Sequence, residues 1–196
     1  MTLKSRRALV CVLVASSQLG CTTLRNRVKC WELSRSAPPA GSTVPAQSFS
    51  SPEGRFKIGL PPARPYEPES SDTADGHATT RYRWLVLNHG EYEITYTDSD
   101  NLLEDEANSK RIFDNVRDLL LSKGAGKLES DVPLHLANHP GREIRIKDPY
   151  GGTNVRRVYL VAHRMYTVGV FVPSALECLS GPATKALDSF ELIEDE

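Results

Sequence analysis

The chain has 196 residues, of which 39% are hydrophobic and 25% are charged, which is enough for one globular domain and a tail. Its net charge of −1 conceals an asymmetry, because residues 1–48 hold seven of the 24 basic residues and one of the 25 acidic ones. Residues 49–196 therefore carry 17 basic and 24 acidic residues, net −7. An acidic domain argues against nucleic acid as a partner, since phosphate backbones require a basic surface.

Residues 1–21 have the three parts of a bacterial export signal. A basic start that ends at Arg7 precedes the apolar run Ala8–Ala15, and small and polar residues follow. Eight apolar residues are too few for a transmembrane helix, which needs about 20. We therefore predict a signal peptide, with a buried N-terminal helix or strand as the alternative.

The end of this signal resembles the lipobox of bacterial lipoproteins, in which a cysteine thiol receives a diacylglycerol and becomes the first mature residue. The matching residues are Leu19-Gly20-Cys21-Thr22, although Gln18 stands where the family prefers Leu, Val or Ile. The resemblance implies lipidation of Cys21 and attachment to a membrane, made stable by a second acyl chain. Thr22 in place of a retention aspartate implies the outer membrane, facing the periplasm.

Cleavage after Ser17 is the alternative, and it would give a soluble secreted protein. Residues 22–48 lack apolar periodicity, and Ser34–Gln47 is rich in Ser, Ala, Pro and Gly. This composition predicts a flexible tether between the signal and a globular domain at residues 49–196.

Two of the four cysteines, Cys11 and Cys21, belong to the signal. The other two, Cys30 and Cys178, could form a disulfide in an exported protein, and two unpaired thiols are the equally acceptable alternative. No C-x-x-C pair occurs, so the sequence predicts neither a zinc ribbon nor a redox site.

The domain begins with a short hairpin around Pro52-Glu53-Gly54, and a polar loop follows over residues 63–79. Two alternating strands come next, Thr80–Leu87 and Glu91–Thr97, which point aromatic and aliphatic side chains to one face. The inward residues are Tyr82, Trp84, Val86, Tyr92, Ile94 and Tyr96.

The sequence of residues 98–124 predicts one long helix, which spans 104–123 and ends at Gly124. Its apolar stripe is Ile112, Phe113, Val116, Leu119 and Leu120. Leu128–Leu136 predicts a strand in which Pro133 indicates an edge or a bulge. A second, shorter helix is expected from Ser180, with Ala183, Leu187 and Phe190 as its apolar stripe.

Residues 141–172 predict an antiparallel meander of three strands with two short turns. The strand at 142–147 is apolar on one face, whereas those at 155–162 and 165–172 are apolar on both. Strands that are apolar on both faces are covered on both. The long helix is expected on one face, and the C-terminal helix or the N-terminal hairpin on the other.

Short patterns in this order resemble bacterial lipoproteins related to the PsbP/Mog1 fold. They are Phe-Ser-Ser-Pro-Glu-Gly-Arg-Phe at 49–56, Arg117–Leu120, His139–Glu143, Arg157-Val-Tyr159 with Arg164-Met-Tyr166, and Asp188-Ser189-Phe190. The resemblance implies an α+β fold, an α/β/α sandwich with a central antiparallel sheet. Members of the family bind very different partners, and no catalytic set comes with the fold.

No H-E-x-x-H, G-x-S-x-G, G-x-G-x-x-G or Walker motif occurs, so the sequence predicts no catalytic residue, no metal ligand and no cofactor. His135 and His139 are four apart, but across a strand end where helical geometry fails. Gly151-Gly152-Thr153 could cradle an anion, although a hairpin turn explains its glycines. Four arginines, at 142, 145, 156 and 157, could form a basic patch, although pairing with Glu143 and its neighbours is expected.

These observations predict an exported, membrane-anchored lipoprotein of the cell envelope that is a non-enzymatic binding module. Its partners would be the membrane, through the lipid on Cys21, and an envelope protein or a small ligand. One alternative is an envelope hydrolase with a non-standard site that contains Asp72, Asp75 and His77. The other is the soluble secreted binding protein.

Overall fold

The computed structural model describes residues 47–61, 66–72, 77–86, 90–99, 106–124 and 126–193. All of them belong to the unit Thr43–Glu196. The predicted signal peptide, Cys21 with its lipid, Cys30 and nearly all of the predicted tether lie outside the described residues. The first strand begins at Gln47, two residues before the predicted start of the domain.

The N-terminal hairpin is confirmed, and it joins a small sheet. Strands β1 (Gln47–Ser51) and β2 (Phe56–Leu60) pair antiparallel across the Pro52-Glu53-Gly54 turn. The short strand β10 (Glu191–Leu192), near the end of the chain, adds to β2 on its other side.

A seven-stranded antiparallel sheet forms the centre of the domain. Its strands are β3 (Glu69–Asp72), β4 (Ala78–Val86), β5 (Gly90–Asp98), β6 (Lys127–Leu136), β7 (His139–Lys147), β8 (Thr153–Val161) and β9 (Arg164–Val172). They lie in the order β3-β4-β5-β9-β8-β7-β6, which confirms the meander and places β8 and β9 in the interior. The predicted edge strand with Pro133 is also confirmed as β6, which is bulged between Leu128 and Ser130.

One face of this sheet carries the larger hydrophobic core. The inward residues predicted for β4 and β5 are all buried there, and they pack against the apolar side chains of β2. The C-terminal helix α2 (Ser180–Leu187) covers the same face through Ala183 and Leu187, and Phe190 follows it into the core. The hairpin and the C-terminal helix therefore share this face, where the sequence left a choice between them.

The other face is covered by the long helix α1 (Glu106–Gly124) over only part of its width. Phe113 of α1 is buried against Ile144, Val158 and Leu160, and Met165 packs at the margin. The predicted stripe is right for four of its five residues. It is wrong for Leu119, which is 51% exposed, while Leu121 packs on the sheet.

The predicted α/β/α sandwich, and with it the α+β class, is wrong. The fold is β-rich: the described residues form ten strands against helices of 19 and 8 residues and a 3₁₀ helix at Ser174–Leu179. The third layer is the β1-β2-β10 sheet with a short helix beside it, because the N-terminal hairpin takes up β10 as a third strand and shares this face with the C-terminal helix.

One strand of the large sheet was predicted as loop. Strand β3 lies within the polar segment 63–79, and its four residues, Glu-Ser-Ser-Asp, are all exposed. It is held by backbone pairing with β4 rather than by burial. Within the described ranges, no helix has the length and apolarity to cross a membrane.

Candidate functional site

A cleft of about 580 Å³ opens at one end of the large sheet, beside the end of the small sheet. We call it the sheet-end cleft. Most of its lining is apolar or uncharged, with charged side chains on the walls. The lining residues are Arg55, Asp98, Leu136, Ala137, His139, Val161, Ala162, His163, Arg164, Tyr166, Glu191, Leu192 and Ile193.

Two hairpin turns bring distant residues to this cleft. The β6–β7 turn holds Ala137 and the β8–β9 turn holds Ala162, and in an antiparallel meander alternate turns lie at the same end of the sheet. His139 and His163, which lie at these two turns, therefore line one cavity. The alternation of turns is the sequence signal that could have found this pairing.

The backbone is strained around the cleft. In the described part of the chain three non-glycine residues have φ in the left-handed region, namely Arg55 at 55°, Ala137 at 51° and Ala162 at 51°. All three line the sheet-end cleft. Such conformations cost about 1–3 kcal/mol each and gather at functional sites, so their clustering marks this end of the domain.

Arg164 anchors one wall of the cleft. Its guanidinium donates to both carboxylate oxygens of Asp98, at 2.5 and 2.7 Å, and to the carbonyl of Glu53 at 3.0 Å. Its Cζ lies 4.4 Å from the centroid of the Tyr96 ring. The hydrogen bond to Asp98 raises the pKa of Arg164, so the charge on this wall is permanent.

Tyr166 and Glu191 are fixed by partners around the cleft. The hydroxyl of Tyr166 donates to the carbonyl of Gly54 at 2.8 Å. Burial raises the pKa of Tyr166, against the opposing effect of a hydrogen bond with Arg164 and of the positive charges of Arg164 and Arg55. The carboxylate of Glu191 pairs with Lys57 at 2.8 Å. Both carboxylates of the lining, Asp98 and Glu191, therefore already have a cationic partner.

The four arginines considered as a basic patch lie on opposite faces of the sheet and are all ion-paired. Arg142 pairs with Asp114 at 2.7 Å and Arg156 with Glu93 at 2.9 Å, both on the α1 face. On the other face Glu143 accepts from Arg145 and from Arg157, each at 2.8 Å. The expected pairing with acidic side chains is therefore confirmed for these residues, but the pairs are partly buried rather than solvated.

The turn at Gly151-Gly152 binds an anionic group, which is the side-chain carboxylate of Asp148. Oδ1 of Asp148 accepts from the backbone N–H groups of Tyr150 at 2.7 Å and Gly152 at 2.8 Å. The backbone N–H of Gly151 donates to the carbonyl of the same aspartate at 3.0 Å. The turn is thus occupied by its own carboxylate.

The residues named for the hydrolase alternative are only partly brought together. Asp72 ends β3 opposite Ala78, the residue that follows His77, whereas Asp75 lies outside the described residues. The sequence missed Ser99, whose Oγ lies 3.3 Å from Nε2 of His77. The backbone N–H of Ser99 donates to the carbonyl of His163 at 2.8 Å, which places this pair beside the sheet-end cleft.

Among the described residues, no three His, Cys, Asp or Glu side chains are grouped so that they could hold a metal ion.

Comparison with known proteins finds similarity in structure alone. No protein-family model and no curated protein sequence matches the chain. The solution structure of cyanobacterial PsbP (CyanoP) from Synechocystis sp. PCC 6803 matches with a TM-score of 0.53 at 9% identity, and the match covers 80% of this chain and 98% of that one. The domain has a PsbP-like fold. The resemblance expected from the sequence is confirmed to this extent, and at 9% identity the likeness shows fold alone.

A second match is the crystal structure of PA94, a protein of unknown function from Pseudomonas aeruginosa. It has a TM-score of 0.44 at 8% identity, and it covers 67% of this chain and 99% of that one.

Proposed function

We propose that this chain is a non-enzymatic binding protein of the bacterial cell envelope, and that it takes up its ligand in the sheet-end cleft. The lipid on Cys21 would hold it at the outer membrane, facing the periplasm. The export signal, the lipobox-like Leu19-Gly20-Cys21 and the tether support this location.

The observation that carries the proposed function is the composition of the cleft. Its volume of about 580 Å³ lies within the range of small-molecule sites, about 300–1,000 Å³. The two carboxylates in its lining are held in ion pairs by Arg164 and Lys57, which suits them to shaping a site rather than to transferring protons. A mostly apolar cavity with fixed charges at its margin selects and holds a ligand.

Ligand binding can be tested with a fragment library and the isotope-labelled full-length chain, followed by two-dimensional NMR. Ligands should shift the amide signals of Leu136–His139 and Ala162–Arg164. Val161→Phe, which narrows the cleft, should abolish these shifts, whereas Leu85→Phe on the opposite face of the sheet should leave them unchanged. Hits that gather elsewhere, or that tolerate Val161→Phe, would contradict the assignment of the site.

The membrane anchor is tested by labelling with a clickable fatty acid in a bacterial host. The wild-type chain should incorporate the label and fractionate with the outer membrane, and Cys21→Ala should do neither. An unlabelled chain that is released in soluble form would support the soluble secreted protein. Label that persists in Cys21→Ala would show that another residue is acylated.

A second candidate function, an envelope hydrolase, is favoured by the pairing of Ser99 with His77. A hydroxyl within 3.3 Å of an imidazole is the arrangement from which a serine nucleophile is activated. A fluorophosphonate probe would label the wild-type chain and fail to label Ser99→Ala and His77→Gln if this function holds. Ser122→Ala, which alters an exposed serine of α1, is the matched control. Absence of labelling in the wild type would remove the candidate.

A further inference from the structure

The charged side chains that line the sheet-end cleft balance one another. They are two arginines and two carboxylates, Arg55, Arg164, Asp98 and Glu191, so their formal charges sum to zero. Asp98 accepts two hydrogen bonds from Arg164, at 2.5 and 2.7 Å, and Glu191 pairs with Lys57 at 2.8 Å. Arg55 is likewise engaged within the protein. The lining therefore offers a ligand no net charge of either sign.

The rest of the lining is largely aliphatic and continues the larger hydrophobic core. Leu136, Val161 and Leu192 pack against that core yet stay only partly buried, and Ile193 lines the same cleft. The fold thus leaves apolar surface in contact with water inside a concave site. An apolar group that covers this surface releases the water, which is favourable.

A ligand with an ionised group would gain little from this lining. Entry into the cleft removes water from the ionised group, and that loss is costly unless an opposite charge or new hydrogen bonds replace it. To pair with Asp98 or Arg164, the ligand would have to displace a bidentate ion pair. An uncharged ligand meets neither cost.

We propose that the sheet-end cleft binds uncharged small molecules with a compact aliphatic body that lies against Leu136, Val161 and Leu192. The inference rests on the proposed function, because it names the ligand class of the same site. The ion pairs at the margin then hold the walls together rather than contact the ligand. Arg164 joins β9 to Asp98 of β5 and to the carbonyl of Glu53 in the hairpin turn. The Lys57–Glu191 pair joins β2 to β10.

An NMR titration of the isotope-labelled full-length chain with three matched probes tests the ligand class. The probes are 1-adamantanemethanol, 1-adamantanecarboxylate and 1-adamantanemethylamine, which share one rigid aliphatic cage and differ in the charge of a short end group. Because the end group is so close to the cage, it enters the cleft with the body. The alcohol should shift the amide signals of Leu136–His139 and Ala162–Arg164, and it should bind about tenfold more tightly than the acid or the amine.

A variant of the aliphatic wall and its control assign this binding to the cleft. Val161→Thr replaces a methyl group of the wall by a hydroxyl, and it should weaken binding of the alcohol severalfold. Val132→Thr makes the same replacement at an exposed position of β6, outside the lining of the cleft, and it should leave the affinity unchanged.

Each failure has its own meaning. If the acid or the amine binds as tightly as the alcohol, the cleft remains a binding site and the uncharged ligand class is overturned. If none of the three probes shifts these signals, the inference fails, and the fragment library decides the proposed function separately. If the alcohol binds equally to Val161→Thr and to the wild type, it lies outside the cleft, which overturns the inference and contradicts the proposed site.

Discussion

Replacing Gly169 by alanine should break a specific ion pair across the centre of the sheet. Gly169 of β9 lies in register between Arg156 of β8 and Glu93 of β5. Because the glycine has no side chain, the guanidinium of Arg156 crosses over it and donates to Glu93 at 2.9 Å. A Cβ at position 169 would come within 2.4 Å of both Cδ and Nη1 of Arg156, so this side chain must move away.

The size of the effect follows from the exposure of the pair. The side chains of Arg156 and Glu93 are 15% and 22% exposed, so the pair is intermediate between a surface and a buried ion pair. A surface ion pair contributes about 0–1 kcal/mol to stability. Disruption of a buried ion pair costs about 3–5 kcal/mol. We expect Gly169→Ala to destabilise the domain by about 1–2 kcal/mol. In an Arg156→Ala background the space is open, and the same substitution should stabilise by about 0.5–1 kcal/mol, because glycine is unfavourable within strands.

The assay is urea unfolding of the wild type, the two single variants and the double variant, monitored by far-ultraviolet circular dichroism and tryptophan fluorescence. Trp84 is buried in the larger core and reports on its loss. The free energies form a double-mutant cycle with a coupling of about 2 kcal/mol between positions 156 and 169. Equal destabilisation by Gly169→Ala in both backgrounds would refute the reasoning and locate the strain in the strand itself.

Three further predictions concern stability. Phe56→Ala, in a fully buried ring among other aromatic rings, should destabilise by about 3–5 kcal/mol, and an unchanged urea midpoint would contradict the packing of the small sheet on the large one. Ala162→Gly should raise stability by about 1 kcal/mol, because glycine relieves the left-handed strain, and a drop in melting temperature would show that the methyl group contributes more by packing. Hydrogen bonds from Lys110 and then Arg142 lower the pKa of Asp114 to about 2. The ionised Asp114 therefore stabilises the domain fully above about pH 4, and this contribution is lost as the pH falls through 2. Asp114→Asn should make the free energy of unfolding depend less on pH between about 4 and 2. A pH profile parallel to that of the wild type would argue against this role.

The parts of the fold that could be predicted are those whose side chains alternate between core and solvent. Tyr82 and Trp84 identify β4 because burial of every second residue leaves a period of two in the sequence. Strand β3 leaves no such trace, since its residues are polar and it is held by backbone pairing with β4 and by ion pairs of Glu69 with Arg81 and Arg83, without burial. The two-residue strand β10 is too short to have a period, and it extends the predicted hairpin to a three-stranded sheet.

Most of the sheet-end cleft could not be predicted from the sequence. The sequence around a histidine in a turn is the same whether or not it shares a cavity with another histidine. His139 and His163 share the sheet-end cleft because of the strand order β9-β8-β7-β6. The left-handed conformation of Ala137 and Ala162 was hidden as well, because turns of this kind are normally recognised by Gly, Asn or Asp. Cys21, which carries the predicted anchor, stays a prediction outside the described residues.

The helix α1 packs on a much smaller hydrophobic core than the layer on the opposite face of the sheet does. Its fully buried core consists of Phe113 with four sheet residues, and the other apolar side chains of α1 that pack on it are only partly buried. The other face buries side chains of β2, β4, β5, β9 and α2 together. A segment secured so lightly exchanges its amide hydrogens through partial opening, while the sheet beneath it exchanges only on global unfolding. In native-state hydrogen exchange the amides of α1 should therefore exchange faster than those of β8 and β9, so the domain would lose its helix well before its sheet, and a chain under mild stress would keep the sheet-end cleft intact.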